Sequence, residues 1–249
     1  LRFLLLFGVF AITLILYFVK PKVEEVPSPI FVNVPTTSTT KPIFGIENFT
    51  EYIPGHLPLI ITIPHGGHLF PPYIPDRVNN FPGVVKSNDI NTQEIGKAVV
   101  ELLGTKLKGR KPHVIINHLG RSKIDVNRPL KEGAEGNETE PSLTQLAWKD
   151  YHTFVAMAIK EVEEIFGRGL LIDIHGHGHP NNYIEIGYVL SSEVLSYPAK
   201  VINGDPSIPS ESSIRALYAR KSGTVSFDEL LRGETTSLGG KLQSLGYDT

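Results

Sequence analysis

The sequence contains no cysteine in its 249 residues and carries no large excess of charge of either sign. Without cysteine the chain has no disulfide, no thiol nucleophile and no thiolate zinc site, so any metal ion must be bound by histidine and carboxylate side chains. Lysine and arginine together number 24, against 26 aspartates and glutamates. This balance provides no basic surface for a nucleic acid, and we expect no nucleic-acid partner.

A long hydrophobic run occurs only at the N-terminus. Residues 3–19 are apolar except for one threonine, and Arg2, Lys20 and Lys22 flank them. A helix of this length spans about 26 Å, which is close to the hydrocarbon thickness of a bilayer. The sequence therefore predicts a membrane anchor within residues 1–22. A cleaved signal peptide is the alternative, but no small-x-small cleavage site follows the run.

Residues 23–45 are rich in proline, threonine and serine. This composition has too little apolar periodicity to pack into a core, and it predicts an extended stalk. Two N-glycosylation sequons, at Asn48 and Asn137, agree with a lumenal or extracellular domain. These features predict a single-pass membrane protein with its domain outside the cytosol, or a secreted protein if the N-terminal segment is cleaved.

Short apolar runs alternate with helical patterns through residues 46–249, which are predicted to form one domain. Strands are predicted for four segments: LPLIITIP (57–64), HVIIN (113–117), LLIDI (170–174) and YIEIGYVLS (183–191). Helices are predicted for residues 91–107 and 142–167. This alternation is typical of an α/β domain with a largely parallel sheet.

Local signals set the ends of both predicted helices. Ser142 and Gln145 have the spacing of a capping box, and Gly167 follows the last residue of the longer helix. Asn91 and Glu94 have the same capping-box spacing at the start of the shorter helix. We therefore expect each helix to begin with a side chain bonded to its first turn.

Histidines follow two of the predicted strands directly. The segment PHGGH begins at Pro64, and HGHGH occupies residues 175–179. Ligands of open α/β sheets bind beyond the carboxyl ends of the strands, so His65 and His175 are expected at the same edge. The neighbouring glycines allow backbone and metal to approach closely. A metal site is the resulting prediction, and His68, His177 and His179 remain open as spare ligands, substrate contacts, proton donors or loop residues.

A catalytic zinc ion requires a third protein ligand, because its fourth position holds water. Two acidic residues lie near the start of the first helix, Asp89 and Glu94. Glu94 already has an explanation as the acid of the capping box. Asp89 is therefore the favoured ligand, although its charge would also suit the N-terminus of a helix.

Basic and amide side chains crowd the segment HLGRSKIDVNRP, which follows the HVIIN strand. Arg121, Asn127 and Arg128 together suggest a site for a carboxylate, because the guanidinium fork binds carboxylates through two hydrogen bonds. The alternative is a structural pair in which Asp125 neutralises one of the arginines.

Four motifs occur in one order: PHGG, an aspartate before a helix, RSKIDVNRP and LIDIHGHGHP. In order and rough spacing they resemble the N-formylglutamate amidohydrolase family, whose members share the fold of the zinc carboxypeptidases. The resemblance covers about residues 58–190 and continues more loosely to TTSLGGKLQSLGY. It implies a three-layer α/β/α domain with a mostly parallel mixed sheet, here incomplete at its C-terminus, and a zinc cofactor.

The resemblance also implies roles for single residues. It assigns the zinc ligands to His65, Asp89 and His175. It assigns the grip on the substrate's α-carboxylate to Asn127 and Arg128. Arg121 would polarise the scissile carbonyl or stabilise its oxyanion.

Two further acidic residues lie close to these positions. Asp173 stands two residues before His175 on a predicted strand, so it shares a face with this ligand and is expected to orient it. The general base of the family is a glutamate on a strand after a glycine-rich segment, and Glu185 does not match that position. The sequence ends at SLGYDT, before such a segment, so this fragment is expected to hydrolyse poorly, since base assistance contributes about 10²–10⁴-fold.

Two functions from different classes agree with these features. The first is a zinc-dependent hydrolase that cleaves an amide bond in an N-acyl amino acid, such as N-formylglutamate, or in a small peptide-like substrate with a carboxylate. The second is a membrane-tethered, non-catalytic domain that keeps the carboxylate pocket for binding. A glutamate-bearing strand beyond Thr249 would favour the enzyme.

Overall fold

The structure, a computed structural model, describes residues 12–19, 41–78, 83–136, 139–180, 182–221 and 223–249. It is an α/β structure with a mixed sheet, as the sequence predicts. The chain divides into two compact units. The central unit comprises Pro21–Gly169, and the terminal unit comprises Leu1–Lys20 together with Leu170–Thr249.

The strands and helices are numbered in chain order. The strands are β1 (Ile12–Val19), β2 (Ile43–Phe44), β3 (Thr50–Ile53), β4 (Leu59–Ile63), β5 (His113–Asn117), β6 (Gly169–Gly176) and β7 (Ile184–Gly187). The central unit contains three α-helices among its described residues: α1 (Thr92–Lys106), α2 (Leu130–Gly133) and α3 (Leu143–Phe166). The terminal unit contains α4 (Ser192–Ser196), α5 (Ala199–Gly204), α6 (Ser207–Glu211), α7 (Arg215–Lys221), α8 (Phe227–Arg232) and α9 (Leu238–Ser244) among its own.

Four strands of the central unit lie in the order β2-β3-β5-β4. β4 and β5 are parallel, with Ile61 opposite Val114. β3 runs antiparallel to β5, with Tyr52 opposite Ile115, and β2 is antiparallel to β3. All five residues of β5 are buried, which means that both faces of this strand are covered. Helix α3 packs against β3, β4 and β5, and α1 packs against β4.

The ends of α3 confirm their prediction. The Ser142 hydroxyl accepts a hydrogen bond from the Gln145 backbone N–H at 3.2 Å, and the Gln145 side chain accepts one from Ser142 N–H at 3.1 Å. Gly167 ends the helix with a φ of 66°, in the left-handed region that glycine adopts without a steric penalty. Because these bonds join residues three positions apart, a local sequence pattern was sufficient to predict them.

The capping box predicted for α1 is wrong. Asn91 has a φ of 60°, and its side chain makes no capping bond to the helix. An N-cap side chain reaches the first turn from extended backbone, and the left-handed conformation of Asn91 does not provide that geometry. The Glu94 side chain instead contacts His68. Its Oε1 lies 2.7 Å from His68 Nε2, and both side chains are exposed.

The terminal unit places β1 between β6 and β7. β1 and β7 are parallel, with Ile12 opposite Ile184. A hydrophobic core follows β7 and brings together residues from a loop and the short helices: Tyr188, Ile202, Ile208, Ile214, Phe227, Leu230 and Leu231. The strand predicted over 183–191 is shorter than expected, ending at Gly187; beyond it, Val189 has a φ of 59°.

The structure gives no support to the membrane helix predicted for residues 3–19. Residues Ile12–Val19 form the strand β1, and residues 3–11 lie outside the described part. A short apolar run is compatible with either a helix or a buried strand, and the segment ITLILYFV is rich in residues that favour strands. Within the described ranges, no helix has the length and apolar character needed to cross a membrane.

The predicted stalk also lies mostly outside the described residues, which resume at residue 41. Its last residues include Ile43–Phe44, which form β2 at the edge of the central sheet. The antiparallel pairs of the sheet therefore come from residues just before LPLIITIP, where the sequence predicted no strand.

Candidate metal centre

His65 lies just beyond the end of β4, separated from it by Pro64. Its side chain is 1% exposed. The two glycines that follow are required by close approach of other backbone. A Cβ at Gly66 would lie 2.7 Å from the backbone nitrogen of Gln93, and one at Gly67 would lie 2.3 Å from the carbonyl oxygen of Leu119. The PHGG motif therefore reflects packing around a buried histidine.

Two carboxylates approach the two ring nitrogens of His65. Nε2 lies 2.8 Å from Asp125 Oδ1, and Nδ1 lies 3.4 Å from Asp89 Oδ2. A hydrogen bond from Nε2–H to Asp125 leaves the lone pair on Nδ1, so Nδ1 and the facing Asp89 oxygen could both bind a metal cation. With bonds of about 2.0–2.2 Å, two ligands of a tetrahedral zinc ion lie about 3.3–3.6 Å apart. The pair of His65 and Asp89 has this spacing.

Backbone bonds hold Asp89 next to His65. The Asp89 N–H donates to the His65 carbonyl at 3.1 Å, and the Asp89 carbonyl accepts from the Thr92 hydroxyl at 2.9 Å. The side chain of the neighbouring Asn88 connects the loop after β4 with the loop after β5. It donates to the Gly67 carbonyl in the first and accepts from the Arg121 N–H in the second. Three loops that are distant in sequence thus meet at one buried place.

Arg121 joins the two carboxylates that face His65. Its Nη1 donates to Asp89 Oδ1 at 2.9 Å, and its Nε donates to Asp125 Oδ2 at 3.1 Å. A second guanidinium, that of Arg77, lies 3.8 Å from Asp125 Oδ2 and is almost fully buried. The alternative in which Asp125 neutralises an arginine is therefore present in the structure. Arg77 had no sequence signal, since it lies outside every motif.

The surroundings of Asp125 keep it charged. Burial by itself raises the pKa of this carboxyl, but the hydrogen bonds and electrostatic attraction of His65 and Arg121 outweigh burial. The pKa of Asp125 is therefore held well below its usual range. The sequence identified Asp125 only as a partner for an arginine. In the structure it is the common neighbour of the histidine and two guanidinium groups.

The predicted carboxylate-binding pair lies beside this network. The Asn127 side chain is exposed, and its backbone N–H donates to Asp125 Oδ1 at 3.1 Å. Arg128 is half-buried, its Nη2 donates to the Gly83 carbonyl at 3.3 Å, and its own carbonyl accepts from Trp148 Nε1. One carboxylate oxygen therefore accepts hydrogen bonds from both His65 and the turn that carries Asn127 and Arg128.

His175 lies in the terminal unit, one residue before the end of β6. Asp173, two residues earlier, places Oδ2 2.9 Å from His175 Nε2. Both side chains lie on the same face of the strand, as their spacing predicted. Because Nε2–H donates to the carboxylate, the lone pair is on Nδ1, and the ring has the same arrangement that His65 has with Asp125.

A second group of possible metal ligands lies entirely within the terminal unit. It consists of His177, His179 and Glu185, each of which offers one ligand atom within 4.8 Å of the others. The sequence left the roles of both histidines open, spare metal ligand among them, and did not match Glu185 to the family's base. The structure brings the three together because β7 returns Glu185 to the loop that carries the histidines.

Comparison of the chain with protein-family models, with curated proteins and with solved structures gives no match.

Proposed function

We propose that this chain is a zinc-dependent hydrolase of N-acyl amino acids, of the N-formylglutamate amidohydrolase type with a three-layer, zinc carboxypeptidase-like fold. One observation carries the proposal: the two ring nitrogens of buried His65 each face a carboxylate. Nε2 lies 2.8 Å from Asp125 Oδ1, and Nδ1 lies 3.4 Å from Asp89 Oδ2. A carboxylate behind a histidine fixes the ring and raises its basicity as a ligand.

The proposed ligands are His65, Asp89 and His175. The inclusion of His175 rests on the sequence, where both histidines directly follow predicted strands, and is supported by the Asp173 contact behind its Nε2. A zinc ion held by these residues would supply a Lewis acid and a bound water of lowered pKa. The chain's own contribution is to set the tautomer of both histidines and to hold Asp89 by the backbone bond to His65.

Asn127 and Arg128 are proposed to bind the substrate's carboxylate. The exposed amide of Asn127 and the half-buried guanidinium of Arg128 present donors of the kind that bind an α-carboxylate. Arg121 contacts Asp89 and Asp125 with two of its five N–H donors. We propose that its remaining donors polarise the scissile carbonyl, while the two ionic contacts hold the guanidinium in place.

A second candidate is a non-catalytic binding domain that keeps this carboxylate pocket. The pairing of Arg121 with two carboxylates favours it, since the same contacts would serve stability alone. Glu185 is paired within the terminal unit, where its Oε1 lies 2.5 Å from His179 Nδ1.

Metal content and turnover test both proposals together. We expect His65→Ala, Asp89→Ala and His175→Ala each to lose one equivalent of zinc and the hydrolysis of N-acyl amino acids. The matched control is His68→Ala, which removes a histidine that is 60% exposed and pairs with Glu94. Unchanged zinc in His65→Ala would contradict the ligand assignment. In the full-length protein, zinc binding and substrate binding without turnover would instead favour the binding domain.

The carboxylate role of Arg128 is tested by a ratio. Arg128→Lys keeps the charge but loses the fork, so it should lower kcat/KM for an acidic substrate by about 10–150-fold. A substrate whose carboxylate is amidated should be hardly affected, because it makes no such contact. An unchanged ratio between the two substrates would exclude Arg128 from carboxylate binding.

A further inference from the structure

We propose a second divalent-cation site in the terminal unit, formed by His177, His179 and Glu185. The two histidines lie on the loop between β6 and β7, and Glu185 is the second residue of β7. Their three ligand atoms lie within 4.8 Å of one another. None of these residues has a part in the proposed hydrolase, so the inference goes beyond that function.

The ring of His177 is held in the tautomer that leaves Nδ1 free of hydrogen and able to bind a cation. Its Nε2 lies 3.0 Å from the carbonyl oxygen of Tyr183, so Nε2 carries the hydrogen and Nδ1 carries the lone pair. A metal-binding histidine usually donates its other N–H to a carbonyl or carboxylate in this way. The Nδ1 lone pair faces the backbone N–H of His179 at 3.3 Å, a long hydrogen bond that a cation would replace.

The side chains of His179 and Glu185 already share one small space. His179 Nδ1 lies 2.5 Å from Glu185 Oε1. The Tyr183 hydroxyl lies 3.1 Å from each of these atoms. A divalent cation bound by the imidazole nitrogen and the carboxylate oxygen would bring both into its coordination sphere, with Tyr183 positioning both ligands.

Ring packing orders the same residues. The centroids of His177 and His179 are 4.8 Å apart, and those of His177 and Tyr183 are 5.0 Å apart. The loop rings are therefore arranged before any cation arrives, which lowers the entropy that binding must remove. Two ligands of a tetrahedral zinc ion lie about 3.3–3.6 Å apart, so changes of up to about 1.5 Å would bring these ligand atoms to zinc-binding separations.

The donor set and exposure define which cation fits. Two imidazoles and one carboxylate suit Zn²⁺, Ni²⁺ or Cu²⁺ better than Mg²⁺ or Ca²⁺, which prefer oxygen ligands. The side chains of His179 and Glu185 are 56% and 29% exposed. Water can therefore complete the coordination, and the ion can exchange with solvent.

Zinc stoichiometry of the full chain tests the inference. Metal is removed with a chelator, zinc is returned at a small excess, and bound zinc is counted by mass spectrometry. We expect two equivalents in the wild type, one in His179→Ala, one in Glu185→Gln and two in the control His68→Ala. Glu185→Gln keeps the shape of the side chain, and circular dichroism checks that each variant folds.

The variant His65→Ala separates this inference from the proposed function. If the wild type binds one equivalent that His179→Ala loses and His65→Ala keeps, the second site stands and the proposed zinc centre fails. If His179→Ala and Glu185→Gln bind as much zinc as the wild type, the second site is overturned, whatever His65→Ala does. A wild type that binds no zinc overturns both.

Discussion

The cluster around His65 and the cluster around His179 use the same chemical groups in opposite surroundings. In the central unit, His65 and Asp125 are each 1% exposed, and two arginines accompany the carboxylates. In the terminal unit, His179 is 56% exposed and contacts the carboxylate of Glu185. Burial requires each charge to have a partner, whereas water screens the exposed pair.

This difference separates two meanings of a histidine–carboxylate contact. Where the contact is buried, removing one member leaves other charges unpaired in a medium of low polarity. Where it is exposed, its loss changes metal binding and has little effect on folding.

Replacing Asp125 should damage folding most. Asp125→Asn leaves Arg77 and Arg121 short of negative charge, and we expect the free energy of unfolding to fall by about 3–5 kcal/mol. The matched change Glu185→Gln in the exposed cluster should cost at most about 1 kcal/mol. Urea denaturation of the metal-free chain measures both. Equal losses in the two variants would show that burial does not distinguish the clusters.

Replacing Arg121 comes next. A lysine cannot reach Asp89 and Asp125 together, so Arg121→Lys should lose one charged hydrogen bond and about 1.5–3 kcal/mol of stability. Arg128→Lys, in the same segment, should stay within about 0.5 kcal/mol of the wild type, since its side chain bonds only to the Gly83 carbonyl among the contacts described. The same urea titrations report this difference, and a reversed order would refute it.

Side chains that form hydrogen bonds with the proposed metal ligands should affect zinc affinity. Asp173→Asn weakens the hydrogen bond behind His175, and we expect zinc to bind about 10–100-fold more weakly at the proposed centre. Tyr183→Phe removes the hydroxyl beside His179 and Glu185, and at this exposed place we expect a loss near the lower end, about 10-fold. Competition with a chelating dye measures each constant. A larger loss in Tyr183→Phe would reverse the ranking of the two clusters.

The smallest expected effect concerns pH and a buried histidine of the central unit. Burial lowers the pKa of His113, and the attraction of Glu161 offsets this only in part. The unfolded chain therefore takes up a proton near pH 6.5, before the folded chain does, so stability is full above that pH and declines as the pH falls further. In His113→Gln the decline between pH 7 and pH 5.5 should be shallower. An identical slope in urea titrations would show that His113 does not contribute.

Local sequence patterns were sufficient for several elements. The strands at LIITI and HVIIN are short apolar runs bordered by proline or polar residues, and the ends of α3 depend on residues within three positions of one another. The turn conformation of Asn91 was not predictable in this way. Its left-handed backbone belongs to a loop shaped by the contacts of Asn88 and Asp89 with distant segments.

Some residues of the candidate site were likewise predictable from the sequence, and others were not. His65, Asp89 and Arg121 were identifiable because ligand-type and guanidinium side chains stand at the ends of predicted strands or beside a predicted helix. Arg77 lies in no such position in the sequence. Its guanidinium donates to the carbonyl of Arg121 and lies near Asp125, and both contacts depend on the tertiary structure. Residues that act through contacts distant in sequence leave no periodic trace.

The amino-acid sequence limits the possible metal ligands to histidine and carboxylate side chains, because it contains no cysteine, and its pattern of apolar runs indicates an α/β fold. Which of these ligands come together depends on the tertiary fold. It placed Asp125 behind His65, returned Glu185 on β7 to His179, and paired the backbone of Ile12–Val19 with β7 in parallel. Each of these contacts joins segments whose pairing depends on the packing of the whole unit, because a run of apolar residues or a single carboxylate has no local preference for its partner.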